Sequence, residues 1–194
     1  MSASIILASG SPRRRELLDL IGLRFEVRPA AGEEPPVPGE RPPAFAVRAA
    51  RAKAEQVAER VLRHPVLGSD TVVEADGRIL GKPVSTGEAR AMLRLLSDRT
   101  HKVHTAVALV VDGRCQSLVD TAEVTFRRLD DAVIDWYIGT QEPTDKAGAY
   151  AVQGAGGLLV ATVTGSPQTV IGLPLHRLPE LFQECGLDLW DFIQ

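Results

Sequence analysis

Several short stretches carry residue types that could do chemistry. Leu7–Leu17 reads LASGSPRRREL, a Ser-Gly-Ser turn followed by one proline and three arginines. Ser11 is a good N-cap and Pro12 suits the first turn, so the spacing predicts a helix over Pro12–Ile21, stopped by Gly22. Cations are misplaced there. A helix N-terminus is already partly positive, and each added cation costs about 0.3–1 kcal/mol. The arrangement makes sense if an anion arrives. The turn offers backbone N–H groups without intrahelical partners, the hydroxyls of Ser9 and Ser11, and the forked guanidinium groups of Arg13 and Arg14, all suited to phosphate. The plain alternative is a solvated helix start. The Ser-Gly-Ser turn favours phosphate, with Arg15 left to the surface.

A second stretch is Gly68–Val73, GSDTVV. An aspartate inside an apolar strand is costly unless it is paired or binds metal. Asp76-Gly77 is a two-residue hairpin signal, which sets Ala75 opposite Arg78, Glu74 opposite Ile79 and Thr71 opposite Lys82. Lys82 is therefore expected within reach of Asp70, either as a structural ion pair or as catalytic machinery. Lys53 falls at the edge of the apolar stripe Val47, Ala50, Ala54, Val57, Ala58 and Val61 of a helix over Ala44–Leu62. There it either snorkels or reaches into a cleft. Finally, Asp145–Gly157, DKAGAYAVQGAGG, combines small residues that permit close backbone approach with Gln153, an amide able to read a base edge. A tight loop between strands is the bland reading of the same segment.

Other motifs fail. Gly77–Pro83, GRILGKP, is one residue short of a Walker loop and has proline where serine or threonine belongs. Gly154-Ala155-Gly156 does not continue as a dinucleotide fingerprint, because Leu159 fills its last place, and no GxSxG serine elbow occurs.

The elements that must position these groups alternate between strand and helix. Strands are expected over Ser4–Ala8, Val66–Glu74, Arg78–Leu80, Val103–Val111, Cys115–Phe126, Gly157–Val163 and Thr169–Leu173. Further helices are expected from the capping box Ser85–Glu88 to Leu96, over Asp130–Ile138 and over Pro174–Cys185. With two hairpins among them, the class is α/β with a mixed sheet. Pro29–Pro43 reads as a surface loop. The 194 residues suffice for one ordinary domain, and 44% hydrophobic with 24% charged residues is a soluble globular composition. The net charge of −3 argues against nucleic acid, no apolar run is long enough to span a membrane, and no secretory signal is visible. Two isolated cysteines, Cys115 and Cys185, fit a reduced, cytoplasmic setting, and the four histidines suggest no zinc site.

ASGSPRRREL, GSDTVV, LGKP and DKAGAYAVQG, in this order, resemble the Maf (septum formation) family of nucleoside triphosphate pyrophosphatases. The resemblance covers nearly the whole chain. It implies a single Maf-like domain over residues 1–194, with a mixed sheet, flanking helices and two lobes around a central cleft, similar to inosine triphosphate pyrophosphatases. It implies hydrolysis of a nucleoside triphosphate to the monophosphate and pyrophosphate, a divalent cation (Mg²⁺ or Mn²⁺), a homodimer and a link to cell-division arrest. Carried onto this chain, it puts Ser9, Ser11 and Arg14 on the phosphates. Asp70 becomes the proton acceptor, and Asp70 and Glu34 the metal ligands, with Glu33 a neighbouring possibility. Lys53 and Lys82 contact phosphate or water. Arg13, Thr71 and Gln153 match positions that separate substrate subgroups, and here resemble the dTTP- and UTP-hydrolysing one. The rivals are the same chemistry on 7-methyl-GTP or another modified nucleotide, and a nucleotide-binding regulator of septum formation without turnover. The apolar tail Leu187–Ile193 either serves the dimer or covers the core.

Overall fold

A computed structural model of the chain describes residues 4–32, 35–61 and 64–194. The strands are β1 (Ile5–Leu7), β2 (Phe25–Val27), β3 (Val66–Ala75), β4 (Arg78–Leu80), β5 (Thr100–Val111), β6 (Arg114–Phe126) and β7 (Val160–Thr164). The helices are α1 (Pro12–Leu20), α2 (Pro42–Ala58), α3 (Thr86–Leu96), α4 (Asp131–Gly139), α5 (Pro167–Ile171) and α6 (Leu178–Glu184). The sheet runs β2-β1-β3-β5-β6-β7, with β4 pairing β3. It is mixed, as expected: β1 is parallel to β2 and β3, while β3–β4 and β6–β7 are antiparallel.

Both hairpin signals form their turns. Asp76 and Asp112 take φ of 50° and 48°, each followed by a glycine with positive φ, the conformation of a primed two-residue turn. The β3–β4 register is the expected one, Ala75↔Arg78 and Glu74↔Ile79, but the ladder ends at Val73↔Leu80, so Lys82 lies beyond the last pair. The capping box also forms. Ser85 Oγ accepts from Glu88 N at 3.1 Å, and Glu88 Oε2 accepts from Val84 N at 2.7 Å.

Three expected elements differ. The strand over Thr169–Leu173 is instead α5, because Pro167 is preorganised for a first helical turn and the N–H of Thr169 closes onto the carbonyl of Ser166. The strand over Gly157–Val163 is a 3-10 turn, Gly154–Leu159, followed by β7 from Val160. The helix over Pro174–Cys185 is a 3-10 turn, Leu175–Arg177, and then α6. Pro179 lacks an N–H, so the helix restarts with that proline in its first turn. Helix boundaries also move. α2 begins at Pro42 and ends at Ala58, and α1 ends at Leu20.

The chain divides into two compact units. One comprises Met1–Asp70, Thr105–Asp120 and Gly172–Gln194; the other comprises Thr71–His104 and Thr121–Ile171. In the first, the fully buried side chains include Ile5, Ile6, Leu7, Leu18, Leu67, Leu109 and Phe182. The tail covers this core: Leu189 and Phe192 are buried, Phe192 meets Phe182 edge-on at 5.5 Å, and Gln194 N donates to Gly22 O. No described helix is long and apolar enough to cross a membrane.

The second unit is centred on Phe126, Tyr137, Tyr150, Leu93 and Leu96. His101 is packed among them, edge-on to Phe126 and Tyr150, with Nε2 2.7 Å from the Tyr150 hydroxyl. Burial holds this imidazole down at about 4, from an ordinary 6.5. Between those values the unfolded chain binds a proton that the folded chain refuses, so stability falls as pH falls from about 6.5 to about 4, by on the order of 3 kcal/mol. The variant His101→Gln should lack this acid-side slope. Urea unfolding at a series of pH values checks it, and parallel pH profiles for the two proteins would refute the assignment.

Candidate active site

The site begins with a close approach of helix to strand. The buried stripe of α2 is Ala46, Ala49, Ala50, Ala54 and Val57. This is rotated from the valine-weighted stripe read in the sequence, and it places Lys53 within the buried face rather than at its edge. The cause lies in β3. A Cβ built on Gly68 would stand 2.4 Å from the Ala50 carbonyl oxygen and 2.9 Å from Ala54 Cβ, distances that only a glycine permits. Alanines on the helix and a glycine on the strand therefore bring the two backbones together. The approach aligns Lys53 with Asp70, two residues along β3 from Gly68. Lys53 Nζ donates to Asp70 Oδ1 at 2.5 Å, with the side chains 14% and 15% exposed. The aspartate in the apolar strand thus has a cation beside it, Lys53.

The opening turn is built against the same strand. Ser11 occupies the N-cap position of α1, but its side chain does not cap; its N–H donates instead to Ser9 Oγ at 3.3 Å. Arg14 Nη1 donates to Ser9 Oγ at 2.9 Å, and Arg14 Nε donates to the Gly172 carbonyl at 2.9 Å. That carbonyl also accepts from Ser69 Oγ at 2.9 Å, and Ser69 is the immediate neighbour of Asp70. Ser9, Arg14, Gly172, Ser69, Asp70 and Lys53 therefore form one connected set. The first turn of α1 contains no acidic residue. Arg13 is half-buried and Arg15 exposed.

Ser69 and Gly172 are additions to the residues singled out in the sequence. Ser69 could have been noticed as a fully buried hydroxyl beside Asp70, in need of an acceptor. Gly172 supplies that acceptor from a φ of 122°, with no local sequence signal for the role.

The other expected residues belong to the second unit. Thr71 follows Asp70 on β3, and Lys82 follows the end of β4. Gly148 N donates to Gly81 O at 3.0 Å, so the LGKP and DKAGAYAVQG segments meet one residue from Lys82. Gln153 is exposed, ahead of the Gly154–Leu159 turn. Glu33 and Glu34 lie outside the described residues. Cys115 offers no rival nucleophile, because burial pushes its thiol up to about 11.

Sequence comparisons relate the whole chain to known proteins. A family model described as Maf-like protein matches residues 4–185. A dTTP/UTP pyrophosphatase of Anaeromyxobacter dehalogenans (strain 2CP-1 / ATCC BAA-258) is 46% identical over 98% of this chain and 99% of its own length. Enzymes with the same description from Myxococcus xanthus (strain DK1622) and Bacillus cereus (strain ZK / E33L) are 49% and 43% identical. Each alignment spans 95% of this chain, and 94% and 97% of the respective relative. A match this extensive shows that the chain belongs to the Maf-like family.

Proposed function

We propose that this protein hydrolyses dTTP and UTP at the α–β phosphoanhydride, releasing the nucleoside monophosphate and pyrophosphate. The observation that carries the chemistry is the Lys53–Asp70 pair, linked through Ser69 and Gly172 to the Ser9–Arg14 turn. The substrate is supported by the relatives' descriptions.

Each group has a task that fits its surroundings. Arg14, held by two hydrogen bonds, presents a fixed guanidinium to phosphate oxygens, together with Ser9 and the N–H groups at the Ser11 turn. Asp70 accepts the proton of the attacking water. Lys53 orients the carboxylate and lends positive charge to the phosphorus under attack. Lys82 and Arg13 add cations toward the triphosphate, and Thr71 and Gln153 contact the base. No three His, Cys, Asp or Glu side chains cluster into a cation cage among the described residues. One or two carboxylates suit a Mg²⁺- or Mn²⁺-type ion whose other ligands are phosphate oxygens and water. Asp70, with Glu34, would hold it, and it would supply charge neutralisation at the leaving pyrophosphate.

Arg14→Lys keeps the charge but loses the fork joining Ser9 to Gly172. It is expected to raise KM for dTTP about tenfold, with a smaller change in kcat. Steady-state kinetics decide this, and an unchanged KM would remove Arg14 from the phosphate site. The function as a whole is tested by pyrophosphate release across canonical and modified triphosphates with Mg²⁺ or Mn²⁺. dTTP and UTP should lead; preference for 7-methyl-GTP, or binding without turnover, would refute the proposal.

A further inference from the structure

Gln153 has an exposed side chain that makes no hydrogen bond among the described residues, yet the backbone on both sides of it is tightly held. The holding group is a carboxylate and phenol pair. Glu142 Oε2 accepts from Ala155 N at 3.0 Å, and Glu142 Oε1 accepts from Gly156 N at 3.2 Å. The hydroxyl of fully buried Tyr137 donates to the same Oε1 at 3.0 Å and accepts from Ala151 N at 3.2 Å. Two residues before Gln153 and two and three after it, the chain is thus fixed to one charged centre.

The glycines are shaped to that centre. A Cβ on Gly154 would stand 2.8 Å from Glu142 Oε2, and one on Gly156 would stand 2.1 Å from the Ala151 carbonyl oxygen and 2.6 Å from the Tyr137 hydroxyl. Gly154 also has a φ of 71°, unfavourable for other residues. The backbone of Glu142 is itself anchored, since Lys146 Nζ donates to its main-chain carbonyl at 2.8 Å. An amide that discriminates between bases must present its donor and acceptor at a fixed place, because a mobile amide satisfies either pattern. Charge-assisted bonds to backbone N–H groups are the strong kind that can fix it.

We infer that Glu142, acting with Tyr137, is the positioning residue that sets the base selectivity of Gln153. The inference rests on the reading of Gln153 as a base-contacting residue, and it adds a determinant that touches no substrate atom.

The test compares kcat/KM for dTTP, UTP, CTP and GTP in the wild type and in Glu142→Gln, Tyr137→Phe, Gln153→Ala and the double variant Glu142→Gln/Gln153→Ala. The Glu142→Gln side chain keeps the shape, but one acceptor becomes a donor facing a backbone N–H. It should lower the preference for dTTP over CTP and GTP about tenfold, through KM rather than kcat. Tyr137→Phe should lower it in the same direction, which keeps the test alive should Glu142→Gln fail to fold. In the double variant the two losses should not add, because both act through Gln153. Loss of selectivity in Gln153→Ala with full selectivity in Glu142→Gln and Tyr137→Phe would overturn the inference alone. Unchanged selectivity in Gln153→Ala would overturn the reading of Gln153 and the inference with it. Additive losses in the double variant would also overturn it, by showing that Glu142 acts elsewhere.

Discussion

Asp70→Asn is expected to lower kcat for dTTP by about 10²–10⁴-fold, the usual contribution of a positioned general base. The amide matches the carboxylate in shape but cannot take a proton from water. A competing effect has to be weighed. Removing one partner of a buried ion pair can cost about 3–5 kcal/mol, since it strands the other charge. Here Lys53 and Asp70 each keep some solvent contact, at 14% and 15% exposure, so the cost should be smaller and the fold should survive. A purely structural pair would give the opposite pattern, with lower stability and near-normal turnover of the folded fraction. Circular dichroism and thermal melts on the same preparation as the kinetics separate the two. Near-normal hydrolysis by a folded Asp70→Asn protein would remove Asp70 from the chemistry.

Gly68→Ala should damage the protein by a different route. The added methyl would collide with the Ala50 carbonyl and with Ala54, both parts of a packed helix rather than flexible side-chain ends. Overpacking of this kind costs roughly 1–3 kcal/mol, which in a chain of 194 residues corresponds to about 2–12 °C in Tm. The collision can be relieved only by moving α2 away from β3. Lys53 rides on that helix, and its hydrogen bond to Asp70 on β3 depends on the close approach. Turnover should therefore fall along with stability. Differential scanning calorimetry and kinetics on Gly68→Ala would contradict the packing argument if both values stayed at the wild-type level.

The sequence was most readable where chemistry and local geometry coincide. Asp70 stands out because a carboxylate in an apolar strand needs a partner, and the Asp76-Gly77 turn by itself sets the β3–β4 register. The turn proposed to receive phosphate is legible from serines and arginines crowded at a helix start. What local patterns missed was set by distant contacts. The valines at 47, 57 and 61 drew the helical stripe toward themselves, while alanines at 46 and 49 are uninformative about burial. Only the notch at Gly68 decides that the alanine side of α2 faces the strand, and with it that Lys53 reaches Asp70. The arc from Gly157 to Val163 read as one strand because its apolar residues are strand-like. Its first half instead belongs to the turn Gly154–Leu159, whose Ala155 and Gly156 N–H groups are held by the Glu142 carboxylate, earlier in the chain. Likewise the β-branched residues of Thr169–Ile171 suggested a strand, but Pro167 starts a helix.

The most direct measurement is the identity and isotopic labelling of the products of dTTP hydrolysis in ¹⁸O-water with Mg²⁺ or Mn²⁺. If water held beside Asp70 attacks the α-phosphorus, the products are dTMP carrying the label and unlabelled pyrophosphate. Formation of dTDP and inorganic phosphate, label in pyrophosphate, or intact dTTP would contradict a pyrophosphatase built on the Lys53–Asp70 pair.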